Sequence, residues 1–477
     1  MTTRIGTTAR PVVSRGRIRE LRGATTRASA SQGAAQASRS SAATRLSPVV
    51  LVFAITLFLP FHWYLGPVTM SPTRLVLLVM LLPCLVMWLN GKAGRMLVSD
   101  FAILGYGLWC SVSLAAVHGL ETGVESGGIM FVETVAPYFL ARCFIRSAAQ
   151  MLAAIRVLFV LVALLLPFAI YEAVTHQTFL LDFFQRFLPS HPPTMNEPRW
   201  GLRRVQAVFE HPILYGVTCG ALLAFVHLVM GQSQSAVTKF RRSAAIWFTA
   251  FLSLSAGPLS ALMAQTMLIG WDRILKNYAH RWQLVWIGIA AMYLLISMVS
   301  NQSVPAFYLT HFSFDQASAY YRILIWEYGT QSAMNNPLFG VGFNRWERPI
   351  WMPPSLDMFW LYHAVIYGIP AAFFMFLAFG SMVWSIGFKK GLPEDLLPYK
   401  TAFLITMTGY FLVGWTVHFW GSTYILFIFL LGSCSWLLDA RPGPVANLRS
   451  RVTTAPSTRA PPPRRAGTAR PATSGRG

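Results

Sequence analysis

Arginine is the residue type whose placement here calls for a chemical reading. Three arginines lie in the run Arg199-Trp-Gly-Leu-Arg203-Arg204, and three more, Arg322, Arg345 and Arg348, lie much further along the chain. A guanidinium is a planar fork of N–H donors that matches two phosphate oxygens at once and keeps its charge near neutral pH. Arginines brought from two segments to one face could grip a pyrophosphate group. A structural use is equally open: these side chains could pair with Glu197, Glu210, Glu327 and Glu347, or lie in water. Arg322 stands four residues before Trp326, so on a helix the two share a face and a cation–π contact would also account for it.

Groups able to handle a proton are few. Asp357 could be a general base, or only an acid that suits the start of a helix. His363, six residues on, would be its buried partner. His211 stands before Pro212 in Phe209-Glu-His-Pro-Ile-Leu-Tyr-Gly216. Proline suits the first helical turn, so a capping role for His211 is preferred over that of a base. Glu133, in the apolar run Met130-Phe-Val-Glu-Thr-Val-Ala-Pro137, is either a functional intramembrane acid or the partner of a neighbouring helix. The sequence has no phosphate-binding loop, nucleophile elbow, zinc-protease motif or carboxylate cluster. Gly340-x-Gly342 lacks the rest of a nucleotide-binding fingerprint. Cys84, Cys110, Cys143, Cys219 and Cys434 sit in or beside apolar runs with no histidine at ligand spacing. Neither a disulfide framework, a metal site nor a cofactor is expected.

The elements that must position these groups are membrane helices. Of 477 residues, 55% are hydrophobic and only 12% charged, about half the charge of a soluble domain. Residues 1–45 hold nine Arg and one acid, residues 439–477 eight Arg and one acid, and together they supply most of the formal net charge of +22. An apolar body between two basic tails argues against nucleic acid and for disordered cytoplasmic tails that fix topology and touch anionic lipid. The first apolar run begins only near Leu46, so no cleavable signal peptide is expected.

Apolar runs at about 47–66, 72–90, 97–117, 127–146, 151–171, 207–230, 243–256, 258–273, 282–299, 356–387, 400–417 and 420–438 predict an all-α bundle of about twelve spans. The seventh and eighth are short and abut at Gly257-Pro258. With both termini in the cytoplasm, the basic loops Asn90–Arg95, Arg142–Arg156, Gly231–Arg242, Arg273–Arg281 and Lys389–Lys400 all fall inside. Two long segments, about 172–206 and 300–355, then fall on the periplasmic side. The first contains Phe179, Phe183 and Phe187 at helical spacing, as in a helix lying in the membrane interface. The second, between the ninth and tenth spans, is predicted to be folded, with a helix near Ala317–Met334 and a turn at Asn335-Asn-Pro337. No internal duplication is visible, which weakens a two-fold transporter reading.

Several of these stretches resemble the O-antigen ligase and polymerase superfamily. They are Arg203-Arg-Val-Gln-Ala-Val-Phe-Glu-His-Pro-Ile-Leu-Tyr-Gly216, Arg322-Ile-Leu-Ile-Trp326 with Asn336-Pro-Leu-Phe-Gly-Val-Gly342, and Ser355-Leu-Asp-Met-Phe-Trp-Leu-Tyr-His-Ala-Val-Ile-Tyr-Gly-Ile-Pro370. The resemblance covers about residues 200–385 by motif and the whole chain by span layout. It implies metal-independent glycosyl transfer at the periplasmic face of a bacterial inner membrane. The donor would be a glycan on undecaprenyl pyrophosphate and the acceptor a glycan or lipid. Arg203 or Arg204, with Arg322, would match the family's pyrophosphate-binding arginines. Many members have His-Asn where this chain has Asp357-Met358, so Asp357 must replace that histidine as base, or another group must. The swap favours a polymerase or ligase for exopolysaccharide over a lipid A-core ligase. The competing expectations are a transporter or flippase with a polar path through Glu133, His227 and Asp272, and a non-catalytic assembly subunit whose arginines sit apart.

Overall fold

The computed structural model describes residues 46–66, 68–278, 280–300, 307 and 316–441. The tails 1–45 and 442–477, and all but one of residues 301–315 in the second long segment, lie outside the described residues. Among the described residues the chain is mostly helical, with one small hairpin. In order it forms α1 (Pro48–Thr56), β1 (Trp63–Leu65), β2 (Val68–Met70), α2 (Pro72–Leu89), α3 (Val98–His118), α4 (Leu120–Phe144) and α5 (Ala148–Thr175). There follow α6 (Phe179–Gln185), α7 (Pro212–Gly220), a π-helical turn (Phe225–Val229), α8 (Ala236–Phe251), α9 (Ala256–Ile274) and α10 (Arg281–Val299). The last helices are α11 (Gln316–Asn335), α12 (Phe359–Tyr367), α13 (Ile369–Gly387), α14 (Leu397–Val413) and α15 (Gly421–Ser433).

Eight helical stretches among the described residues are long and apolar enough to cross a membrane: Pro72–Leu89, Val98–His118, Ala148–Thr175, Pro212–Val229, Arg281–Val299, Ile369–Gly387, Glu394–Val413 and Gly421–Leu438. Their outward faces carry bare aliphatic side chains such as Leu78, Val79 and Leu82 on α2, which water would not tolerate as a continuous surface. Four other expected spans take different forms. α1 is only 9 residues long and gives way to the hairpin. α4 is long enough but carries Glu121, Glu125, Glu133 and Arg142. α8 has 16 residues, and α9 carries Asp272 and Arg273 in its last turn.

Charges inside the bundle are paired, as a low dielectric requires. Asp100 is fully buried and accepts from Arg142 Nη2 (2.9 Å), Trp88 Nε1 (2.9 Å) and Tyr138 Oη (2.7 Å). Glu133 binds Arg74 Nε at 2.6 Å, so the intramembrane acid does satisfy a neighbouring helix. His227 bonds Ser243 Oγ at 2.9 Å and Asp272 bonds Arg281 Nε at 2.9 Å.

Two breaks in helical backbone matter for the site. The first separates α8 from α9 at Leu252–Ser255, where Leu254 takes φ 44°; Gly257-Pro258, the expected joint, instead lies inside the first turn of α9. The second splits the expected span 356–387 at Gly368, which has φ +87°. The backbone groups freed there, two carbonyls and an N–H, are taken up by the loop after α11. Val341 N–H donates to Val365 O (2.8 Å), Gly342 N–H to Ile366 O (2.9 Å), and Ile369 N–H to Pro337 O (2.7 Å). Irregular backbone within a membrane bundle is sustained by partners of this kind.

Candidate functional site

The two ends of the bundle differ in chemistry. At one end Asp439, just past α15, meets Arg146 Nη2 (2.7 Å) and Arg95 Nε (3.8 Å), and Lys389 Nζ donates to Leu438 O (2.8 Å). At the other end, near the start of α15, lies a cavity of about 210 Å³. Arg199, Arg204, Tyr321, Arg322, Ser255 and Asp357 line it, with an apolar wall that includes Ile213, Met352 and Val417.

The cavity is built on the α8–α9 break. Val205 N–H donates to Leu252 O (3.1 Å), Arg199 Nη1 to Leu254 O (2.6 Å), and Arg204 Nη2 to Ser255 Oγ (2.9 Å). The arginine run and the break therefore hold each other. Across the cavity, Arg322 on α11 donates through Nε to Thr416 O (3.2 Å), in the turn between α14 and α15. Arg204 sits close enough to Arg199, and deep enough, that burial first and its neighbour's charge second pull it down to about 10. It remains a cation at neutral pH, in a place that favours an anion. Asp357 precedes α12, and its Oδ1 accepts from Ser355 Oγ at 2.5 Å.

The other sequence candidates are placed as follows. Arg203 turns away from the cavity. Its Nε lies 3.6 Å from Glu172 Oε1, and its Nη2 donates to Thr194 O at 3.0 Å. His211 caps α7: its Nδ1 accepts Ile213 N–H at 3.2 Å, with Pro212 in the first turn. Burial, with Arg204's charge adding to it, lowers His211 to about 4. Arg348 stacks over Trp346 (5.9 Å) and donates to Met352 O, fixing a carbonyl on the cavity wall. Arg345 is exposed. His363 is buried and bonds Tyr106 Oη through Nδ1 at 2.8 Å, so its partner is Tyr106 rather than Asp357. Trp326 packs edge-on against Trp415 at 5.9 Å.

Sequence reasoning did not single out Ser255 or Tyr321, which carry no motif, nor a second polar cluster at the same end. There His191 Nε2 lies 3.5 Å from Glu210 Oε1, and His62 stacks on His191 at 5.7 Å. Among the described residues, Glu210 Oε2 and His62 Nδ1 are buried without a partner. Burial, with Glu133's charge adding to it, raises Glu210 to about 7 against the opposing pull of Arg74. Comparison with protein-family models and with curated protein sequences gives no match to this chain.

Proposed function

We propose that this chain is a membrane glycosyltransferase that polymerises or ligates glycans carried on undecaprenyl pyrophosphate, for exopolysaccharide or O-antigen. The observation that carries the reading is the convergence of Arg204 and Arg322, from two distant segments, on one cavity that also contains Asp357. The acceptor hydroxyl oxygen bonds to the anomeric carbon as the bond from that carbon to the pyrophosphate oxygen breaks. Asp357 takes the hydroxyl proton, and Arg204 and Arg322 bind the charge growing on the leaving group. The donor is already activated, so the chain needs neither a nucleotide site nor a metal. Arg203 supports the arginine run through Glu172 and does not act on the donor.

In this reading α1, α4, α8 and α9 join the eight apolar stretches to make about twelve crossings of the bacterial inner membrane. Both tails are cytoplasmic and the cavity is periplasmic. The gathering of Arg95, Arg146 and Lys389 at the end opposite the cavity agrees with this orientation. A transporter reading would draw on Glu133, His227 and Asp272, but each is satisfied by a local partner.

The test is Arg322→Ala in cells that depend on this chain for surface polysaccharide. The variant is expected to insert at normal levels and to yield no polymer or ligated product. Wild-type polysaccharide in that strain would overturn the reading.

A further inference from the structure

Beside the arginine cavity runs a series of uncharged rings. Tyr362 stacks on His418 at 3.8 Å and 22°, His418 stacks on Trp420 at 5.9 Å and 25°, and Trp420 lies 6.3 Å from His211. Three segments carry the series, and two of them also supply residues to the cavity wall. Val417, next to His418, and Ile213, two residues after His211, line the cavity wall. Tyr362 and His418 form the packed inner end, while Trp420 is 37% exposed and offers an accessible ring.

Three ring nitrogens of this series, on His211, His418 and Trp420, have no partner among the described residues. His211 Nδ1 accepts Ile213 N–H, so the ring proton of its neutral form is on Nε2. Among the described residues, neither His211 Nε2 nor Trp420 Nε1 has a hydrogen-bond partner, and both are donors. His418 Nδ1 is buried and likewise has no partner among the described residues. Burial holds His418 down to about 3, and burial together with the nearby charge of Arg204 holds His211 at about 4, so both rings are neutral at physiological pH. An uncharged platform with N–H donors at its edge is a poor anion site. It suits a sugar ring, whose C–H face packs on aromatic carbon while its rim hydroxyls bond the donors.

We propose that His211, His418 and Trp420 form a subsite for an uncharged sugar ring of the glycan, contiguous with the arginine cavity. This rests on the lipid-linked glycan reading only for the identity of the carrier. The purified full-length protein in lipid nanodiscs is titrated with undecaprenyl pyrophosphate and with the same carrier bearing glucose, galactose or N-acetylglucosamine. In the wild type at least one glycosylated carrier is expected to bind about tenfold more tightly than the bare carrier. Trp420→Ala is expected to abolish that gain while bare-carrier affinity stays within about twofold, and Trp420→Phe to keep much of it. His211→Ala is expected to reduce the gain.

The subsite is overturned if no glycosylated carrier binds better than the bare one. It is equally overturned if Trp420→Ala keeps the full gain, or if both Trp420 variants lose bare-carrier affinity to the same extent as glycosylated-carrier affinity. Failure of the pyrophosphate reading looks different. The bare carrier would not bind the wild type, while binding of glycosylated carriers would still depend on Trp420.

Discussion

At the scale of single residues, the site end of the bundle separates two kinds of polar group. Arg199 and Arg204 are held by main chain and a serine and face a cavity. Glu210 and His191 lie half-buried against each other, outside the lining of that cavity. Glu210 gives a pH signature to the fold. Its ordinary carboxyl value is 4.5, and in the folded chain it stands at about 7. Between these values the folded state keeps a proton that the unfolded state releases. Stability from this group is therefore fully present below about pH 4.5, declines as pH rises, and is gone above about 7. The loss amounts to about 3 kcal/mol at most. Thermal denaturation in detergent is expected to show a lower midpoint at pH 8 than at pH 5, and Glu210→Gln to flatten that dependence. A wild-type slope retained in Glu210→Gln would assign the effect to another group.

At the scale of elements, the helices themselves were largely legible and their interruptions were not. The helix expected near Ala317–Met334 runs Gln316–Asn335, the Phe-rich segment forms α6, and His211 caps α7. These follow from local signals: spacing, a turn at Asn335-Asn-Pro337, a proline at a helix start. Two short apolar runs abut at Gly257-Pro258, which points to an α8–α9 joint there. Pro258 instead sits in a first turn, where its missing N–H costs nothing. The actual break at Leu252–Ser255 has no breaker residue. It is imposed by Val205 and Arg199 from another segment, a contact no local window contains. The split at Gly368 was hidden in the same way by continuous apolar sequence. A side chain there would meet both a positive φ and the carbonyl of Leu338. Gly368→Ala is expected to destabilise the protein by about 2 kcal/mol or more, read as a fall in detergent melting temperature. An unchanged melting temperature would mean that the loop after α11 does not clamp the split.

At the scale of the whole molecule, the basic end and the cavity end should face opposite compartments. All five cysteines are buried, so an introduced thiol can be labelled over a low background. Met195 and Lys92 are both exposed, at the cavity end and the basic end respectively. Met195→Cys is expected to react with a membrane-impermeant maleimide in spheroplasts, and Lys92→Cys only after lysis. The reverse pattern would invert the topology.

The backbone clamp between residues 337–342 and 365–369 also bears on how the chain is made. The carbonyls of Val365 and Ile366 look for donors in a stretch that enters the membrane late in synthesis. Their donors, Val341 and Gly342, leave the ribosome first. The template thus precedes the helix it completes, and the split at Gly368 can close as soon as α12 and α13 emerge.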